Sequence, residues 1–221
     1  MPRIIDLTMP LADGARGVEI EPTCRFDRDG WNASTLHLYS HCGTHMDSPK
    51  HVEAGETTID EIPPERCIGP AWVADVSGVG SRDLITVASL GDVAERLAPG
   101  ESLLLKTLWS RFAAEPKYRD ALPRVSLALA EWCAAKRVKM LGVEPPSVAD
   151  VRDRDEVRAV HQVLLRAGVV VIEGLTNLDR LRARKVILIA LPLKVRRGDG
   201  APARVLAIDG DGADPWRALL A

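Results

Sequence analysis

The chain has 221 residues, a formal charge of −2, 46% hydrophobic residues and 27% charged residues, with both signs of charge spread along its length. This composition allows a substantial core and excludes both an intrinsically disordered chain and a basic nucleic-acid footprint. The length suits one α/β or β-rich domain over residues 1–221.

In chain order, Arg3 to Leu7 and Ser34 to Ser40 read as strands, the second ending where a histidine-rich motif begins. Pro70 to Val76 and Ser102 to Lys106 are further strands, and Ser89 to Leu97 between them reads as a short helix stopped by Pro99-Gly100. Ser126 caps a helix running to Arg137, followed by a buried strand, Lys139 to Val143. Asp153 or Asp155 opens a helix through Ala167, Gly168 closes it, and Val169 to Glu173 follows as a nearly continuous apolar strand. Lys185 to Leu191 and Ala203 to Ala207 complete the strands, and Asp214 to Ala221 reads as a short surface helix. Helices interleaved unevenly with strands predict an α/β or α+β fold around a mixed sheet. No glycine-rich fingerprint follows any strand, so dinucleotide binding is not expected.

The longest apolar run, Val186 to Leu193, is too short to span a bilayer, and no basic-then-apolar leader opens the chain. No membrane association and a cytoplasmic location are therefore expected. Cys24, Cys42, Cys67 and Cys133 show no CxxC spacing, so neither a disulfide framework nor a thiolate zinc site is expected, and Cys42 reads as a small packing residue.

The chemistry is concentrated in His41-Cys42-Gly43-Thr44-His45-Met46-Asp47-Ser48-Pro49-Lys50-His51, which holds three of the chain's five histidines. The preceding strand places this motif on an exit loop that Gly43 and Pro49 can fold inward. Two imidazoles and a carboxylate within seven residues suit zinc, manganese or iron rather than calcium or magnesium. His161 shares a helical face with Val157, Val160 and Leu164, which also fits a satisfied core histidine. Glu173 ends an apolar run and needs a partner, and a metal supplies one.

His41, His45, Asp47, His161 and Glu173 are too many donors for one open catalytic ion. They suit two ions, about 3.5–4 Å apart, sharing carboxylates and activating a water for hydrolysis. By spacing alone His51 is either a further ligand or a proton shuttle. Ser48 reads as a loop residue bonding its own backbone. Phe26, Trp31 and Trp109 are the aromatic residues available to line a pocket, a role less common than core packing.

At these residues the sequence resembles the metal-dependent cyclase-like hydrolases, the family that includes bacterial kynurenine formamidase and isatin hydrolase, whose signature is HxGTHxDxPxH. Every fixed position is present. Gly142-Val143-Glu144-Pro145-Pro146-Ser147 resembles the family's GxDTPS segment, Glu173-Gly174-Leu175-Thr176-Asn177-Leu178 its EGLTNL block, and Ala190-Leu191-Pro192-Leu193-Lys194 its closing strand. The resemblance implies a swivelling β/β/α fold with a mixed sheet. It implies one ion on His41, His45, Asp47 and Glu173, a second on Asp47, His161 and Glu173, and His51 as proton donor and acceptor. It also implies homodimers or homotetramers in which a neighbouring chain helps to close the pocket.

The chain departs from the family in two places. Leu11-Ala12-Asp13-Gly14-Ala15 stands where kynurenine formamidases carry Trp-Pro-Gly-Asp, and Glu144-Pro145 replaces Asp-Thr. The expectation is a hydrolase with two divalent ions, zinc first and manganese second, that opens a small aryl formamide or cyclic amide by attack of metal-bound hydroxide. The alternatives are a lactone or enol-lactone hydrolase and a non-catalytic metal-binding module, the last disfavoured by His51, which binding alone does not need.

Overall fold

The computed structural model describes residues 2–210; the helix expected over Asp214 to Ala221 lies outside them. The first part of the chain forms β1 (Arg3–Asp6), β2 (Val18–Cys24), α1 (Phe26–Asp29), β3 (Ala33–Leu38) and β4 (His45–Asp47). The middle forms β5 (Ile68–Asp75), β6 (Leu84–Ile85), α2 (Val93–Arg96), β7 (Ser102–Lys106), α3 (Lys117–Asp120) and β8 (Arg124–Val125). The last part forms α4 (Leu127–Ala135), β9 (Met140–Val143), α5 (Arg154–Arg166), β10 (Val170–Glu173), β11 (Lys185–Pro192) and β12 (Gly200–Asp209).

An eight-stranded mixed sheet runs in the order β1-β12-β11-β5-β7-β9-β10-β4. The strands β5, β7, β9 and β10 are mutually parallel, whereas β11, β12 and β4 pair antiparallel with their neighbours. Because β4 pairs with β12 as well as with β10, the sheet closes into a barrel-like ring.

The parallel strands read as continuous apolar runs because both of their faces are buried. Ala71, Leu104, Met140, Ile172 and Met46 fill the interior of the ring. Trp72, Leu103, Leu105, Leu141, Val143 and Val171 point outward and pack with Leu129, Cys133, Val160 and Leu164 of α4 and α5. Ser126 and Asp153 cap these two helices as their sequences require, each accepting backbone N–H bonds in the first turn.

Two local expectations need correction, and one strand is unexpected. The segment Ser89 to Leu97 is not one helix: Gly91, at φ 57 and ψ −137, separates a 3-10 turn from the four-residue α2. The arm β2–β3 is a separate two-stranded sheet, and β2, in which Pro22 breaks the alternation of Val18-Glu19-Ile20-Glu21, is not among the strands expected from the sequence. The middle of the histidine motif, His45–Asp47, is itself a strand, β4, and not a loop. Among the described residues no helix is long and apolar enough to cross a membrane.

Candidate metal centre

Strand register assembles the site. In the antiparallel β4–β10 pair, His45 lies opposite Glu173, Met46 opposite Ile172 and Asp47 opposite Val171. Side chains alternate across a strand, so burying Met46 and Ile172 inside the ring turns His45, Asp47 and Glu173 to the outer face. Helix α5 covers that face and lowers His161 onto it. Gly43, at φ 57, turns the chain between His41 and β4 and brings His41 back over Asp47.

The five predicted metal ligands converge. His41 Nδ1 donates to Asp47 Oδ1 at 2.8 Å. His45 Nε2 lies 3.2 Å from Glu173 Oε2 and 3.8 Å from Asp47 Oδ1. His161 Nε2 lies 3.2 Å from Glu173 Oε1 and 3.6 Å from Asp47 Oδ2. Glu173 Oε1 also accepts the Val148 N–H at 2.7 Å.

The outer nitrogens are occupied as well, since His45 Nδ1 donates to the Gly43 carbonyl at 3.0 Å and His161 Nδ1 to the Val157 carbonyl at 2.7 Å. Those bonds fix both rings with Nε2 facing the carboxylates. His161 is thus held by its own helix and still presents a nitrogen to the cluster.

His51, on the 3-10 turn Pro49–Val52, stands at the rim. Its ring centroid is 4.0 Å from that of His41 and 5.5 Å from that of His161. It is partly open to solvent, with a side chain 23% exposed, whereas those of Asp47 and Glu173 are 0% and 5% exposed. Buffered by these neighbours, the site presents two buried carboxylates to three inward nitrogens, with one more accessible imidazole above them.

Burial opposes the charge on His41 and His161, but the carboxylates outweigh it. Asp47 and Asp199 hold His41, and Glu173 and Asp47 hold His161, each at about 9. His45 is raised in the same way by Glu173 and Asp47. Burial works against the ionised Glu173, yet His161 and His45 hold it below the ordinary carboxylate value; Asp47 is also lowered, chiefly through His41, against burial and the charge of Glu173. His51 is pushed the other way, down, first by burial and then by the positive charges of His41 and His161, against the attraction of Asp47.

The cluster fits a metal. His45 Nε2 and Asp47 Oδ2 are buried without a hydrogen-bond partner, a condition shared among the described residues with Ser102 Oγ and Arg124 Nε. An unpaired buried polar atom costs about 1–3 kcal/mol, and an inward imidazole nitrogen beside carboxylate oxygens is a donor set for a divalent cation. Candidate ligand atoms of His41, His45 and Asp47 lie within 4.8 Å of one another, as do those of His41, His51 and Asp199 and those of Asp47, His51 and His161.

Two residues at the site were not legible as such in the sequence. Ser48 does not bond its own backbone: it is buried, and its Oγ lies 2.9 Å from the Asp199 carbonyl and 3.2 Å from that of Gly198. Asp199 itself reaches His41. Flanked by Gly198 and Gly200, it carries the pattern of an ordinary turn residue. Phe26 and Trp31 are exposed on the arm and Trp109 is buried in packing, so none of the three lines the cluster. His37 lies exposed on β3, away from the cluster and near Glu21.

Residues 5–150 match the family described as "Putative cyclase". The chain is 33% identical over 189 residues to the kynurenine formamidase of Salinibacter ruber, covering 86% of this chain and 84% of that protein. Isatin hydrolase A from Labrenzia aggregata superposes with a TM-score of 0.85 at 26% identity, covering 94% of each chain. A structure described as a potential metal-dependent hydrolase with cyclase activity superposes with a TM-score of 0.78 at 27% identity, covering 96% of this chain and 100% of that one.

Proposed function

This chain belongs to the cyclase family, and on that premise we propose that it is a hydrolase using two divalent ions to cleave the C–N bond of a small non-peptide amide, an aryl formamide or a cyclic amide. The observation that carries this reading is the pair of fully buried carboxylates facing inward imidazole nitrogens, with His45 Nε2 and Asp47 Oδ2 left unpaired. His41 through Nδ1, His45 through Nε2, Asp47 and Glu173 would hold one ion. Asp47, His161 through Nε2 and Glu173 would hold the other, so both carboxylates would serve both ions. Imidazole with carboxylate favours zinc, and manganese is accepted by the same donors.

When bound, such ions supply Lewis acidity that polarises a carbonyl and lowers the pKa of water toward neutrality. The protein does the rest with its own groups. Burial, the largest influence on its ring, disfavours the charged form of His51, so the neutral imidazole can take the proton from the attacking water. The water oxygen bonds to the carbonyl carbon, the C–N bond breaks, and His51 returns the proton to the departing nitrogen. Its partial exposure lets substrate reach it while Asp47 and Glu173 stay dry.

The chain is further proposed to work as a homodimer or homotetramer in the cytoplasm. Support for assembly comes from the exposed apolar arm, and support for a reducing compartment from four free cysteines.

The test is formate release from N-formylkynurenine by zinc-loaded protein, beside ring opening of an isatin-type lactam and of a simple aryl lactone. Hydrolysis of the formamide or the lactam, abolished by a chelator, is expected. Lactone opening alone would move the chain to ester chemistry, and no hydrolysis of any of the three would sink the reading.

A further inference from the structure

Three histidines face the cluster, and each has its outer nitrogen held, but the holders differ. For His45 and His161 the holder is a backbone carbonyl close by in the chain. For His41 it is the carboxylate of Asp199, whose Oδ2 accepts from Nε2 at 2.8 Å across 158 residues of sequence. A carboxylate behind a ligating imidazole fixes its tautomer and orientation and makes it a stronger donor.

The surroundings of Asp199 are built for that contact. Its backbone carbonyl accepts the Ser48 N–H at 3.0 Å and lies 2.9 Å from Ser48 Oγ, which ties the turn before β12 to the residue directly after Asp47. Ser40 Oγ donates to Oδ2 at 3.4 Å from the residue just before His41. Gly200 completes the fit, because a Cβ there would stand 2.7 Å from His41 Cε1 and 2.8 Å from the Met46 carbonyl oxygen. Both sides of the histidine motif therefore grip this one turn. The same Oδ2 lies 3.8 Å from His51 Nδ1, which places a single carboxylate behind a ligand and beside the proton carrier.

We propose that Asp199 is a positioning residue: by accepting the Nε2–H of His41 it commits that imidazole to ligation through Nδ1, the opposite nitrogen from the one used by His45 and His161. This rests on the two-ion reading above. Candidate ligand atoms of Asp199, His41 and His51 also lie within 4.8 Å of one another, but the proposal gives Asp199 no ligand role. Its side chain is 43% exposed and already spends Oδ2 on the outer nitrogen of His41, on the far side of the ring from Asp47.

The experiment is zinc titration of metal-free wild type, Asp199→Ala and Asp199→Asn, with histidine ¹⁵N NMR of the zinc-loaded proteins. In wild type, His41 is expected as the Nε2–H tautomer bound through Nδ1, with His45 and His161 as Nδ1–H tautomers bound through Nε2. Asp199→Ala is expected to weaken zinc binding about 10–100-fold at an unchanged number of ions. Asp199→Asn, whose amide oxygen still accepts the Nε2–H, recovers much of that loss, a rescue that a merely structural turn residue would not show. Unchanged affinity in Asp199→Ala, or His41 bound through Nε2, overturns the proposal while leaving the metal reading intact. Fewer ions at saturation would make Asp199 a ligand and overturns it too, and a wild type that takes up no zinc overturns both.

Discussion

His51 differs from the other imidazoles of the cluster in one physical respect: burial, the largest influence on it, leaves its pKa lowered, whereas carboxylate contacts leave theirs raised. Replacing it with Ala is expected to leave the metal content intact while turnover falls by about 10²–10⁴; metal analysis and kcat on the same preparation check this, and loss of an ion would make His51 a ligand instead. The charged trio gives a second expectation, for the metal-free protein. His41 and His161 keep their protons to about 9 against an ordinary 6.5, so the stability from their pairing is full below pH 6.5 and is lost as pH rises through about 9. Asp47 and Glu173 are held below their ordinary 3.8 and 4.5, so their contribution is present above those values and lost on acidification. The urea midpoint of the metal-free protein should therefore be highest between pH 4.5 and 6.5 and decline toward pH 9. A midpoint that climbs from pH 6 to pH 9 would contradict this assignment of charges.

Among the elements, the loop after β7 shows how the departures from family pattern are accommodated. Glu144 is fully buried, and its carboxylate accepts the N–H and hydroxyl of Thr107, the N–H of Leu108 and the Ser110 hydroxyl, which pins a turn whose Leu108 sits at φ 59. Burial raises its pKa against these bonds. Glu144→Ala strands several buried donors at once and should cost at least about 1–3 kcal/mol in a urea titration, with no direct loss of a metal contact; a neutral result would show that the turn holds itself.

The longer helices and central strands were legible because their signals are local: Ser126 and Asp153 as caps, Gly168 as a stop, and unbroken apolar runs in strands buried on both faces. The ligand types were equally plain, since imidazoles and carboxylates at close spacing have few other uses. What escaped was set by pairing across the chain. That His45-Met46-Asp47 is a strand depends on β10 and β12 bonding to both of its edges, and nothing within three residues encodes that. The place of Asp199 behind His41 depends on β12 starting beside β4, so it too is a property of the closed ring.

For the molecule as a whole, the arm raises the question of what covers it. β2, α1 and β3 extend from the body with Phe26, Trp31 and Leu36 exposed, and Tyr39 at its base lies 5.5 Å from the His41 ring. A lone two-stranded hairpin is marginal in water, so burial against a second copy of the chain is expected. Light scattering should give a dimer or tetramer that shifts toward monomer when Phe26 and Trp31 are both changed to Ser; a monomeric wild type would remove this expectation. The closed sheet, the covering helix α5 and the motif strand all converge on the proposed centre, in which Asp47 and Glu173 would be shared by two cations. The direct check is zinc per chain after equilibrium dialysis, measured for wild type and for Asp47→Ala side by side. Two ions in wild type and none in the variant are the expected values, because a shared carboxylate serves both ions. One ion or none in wild type, or a full pair retained without Asp47, would contradict the two-ion centre.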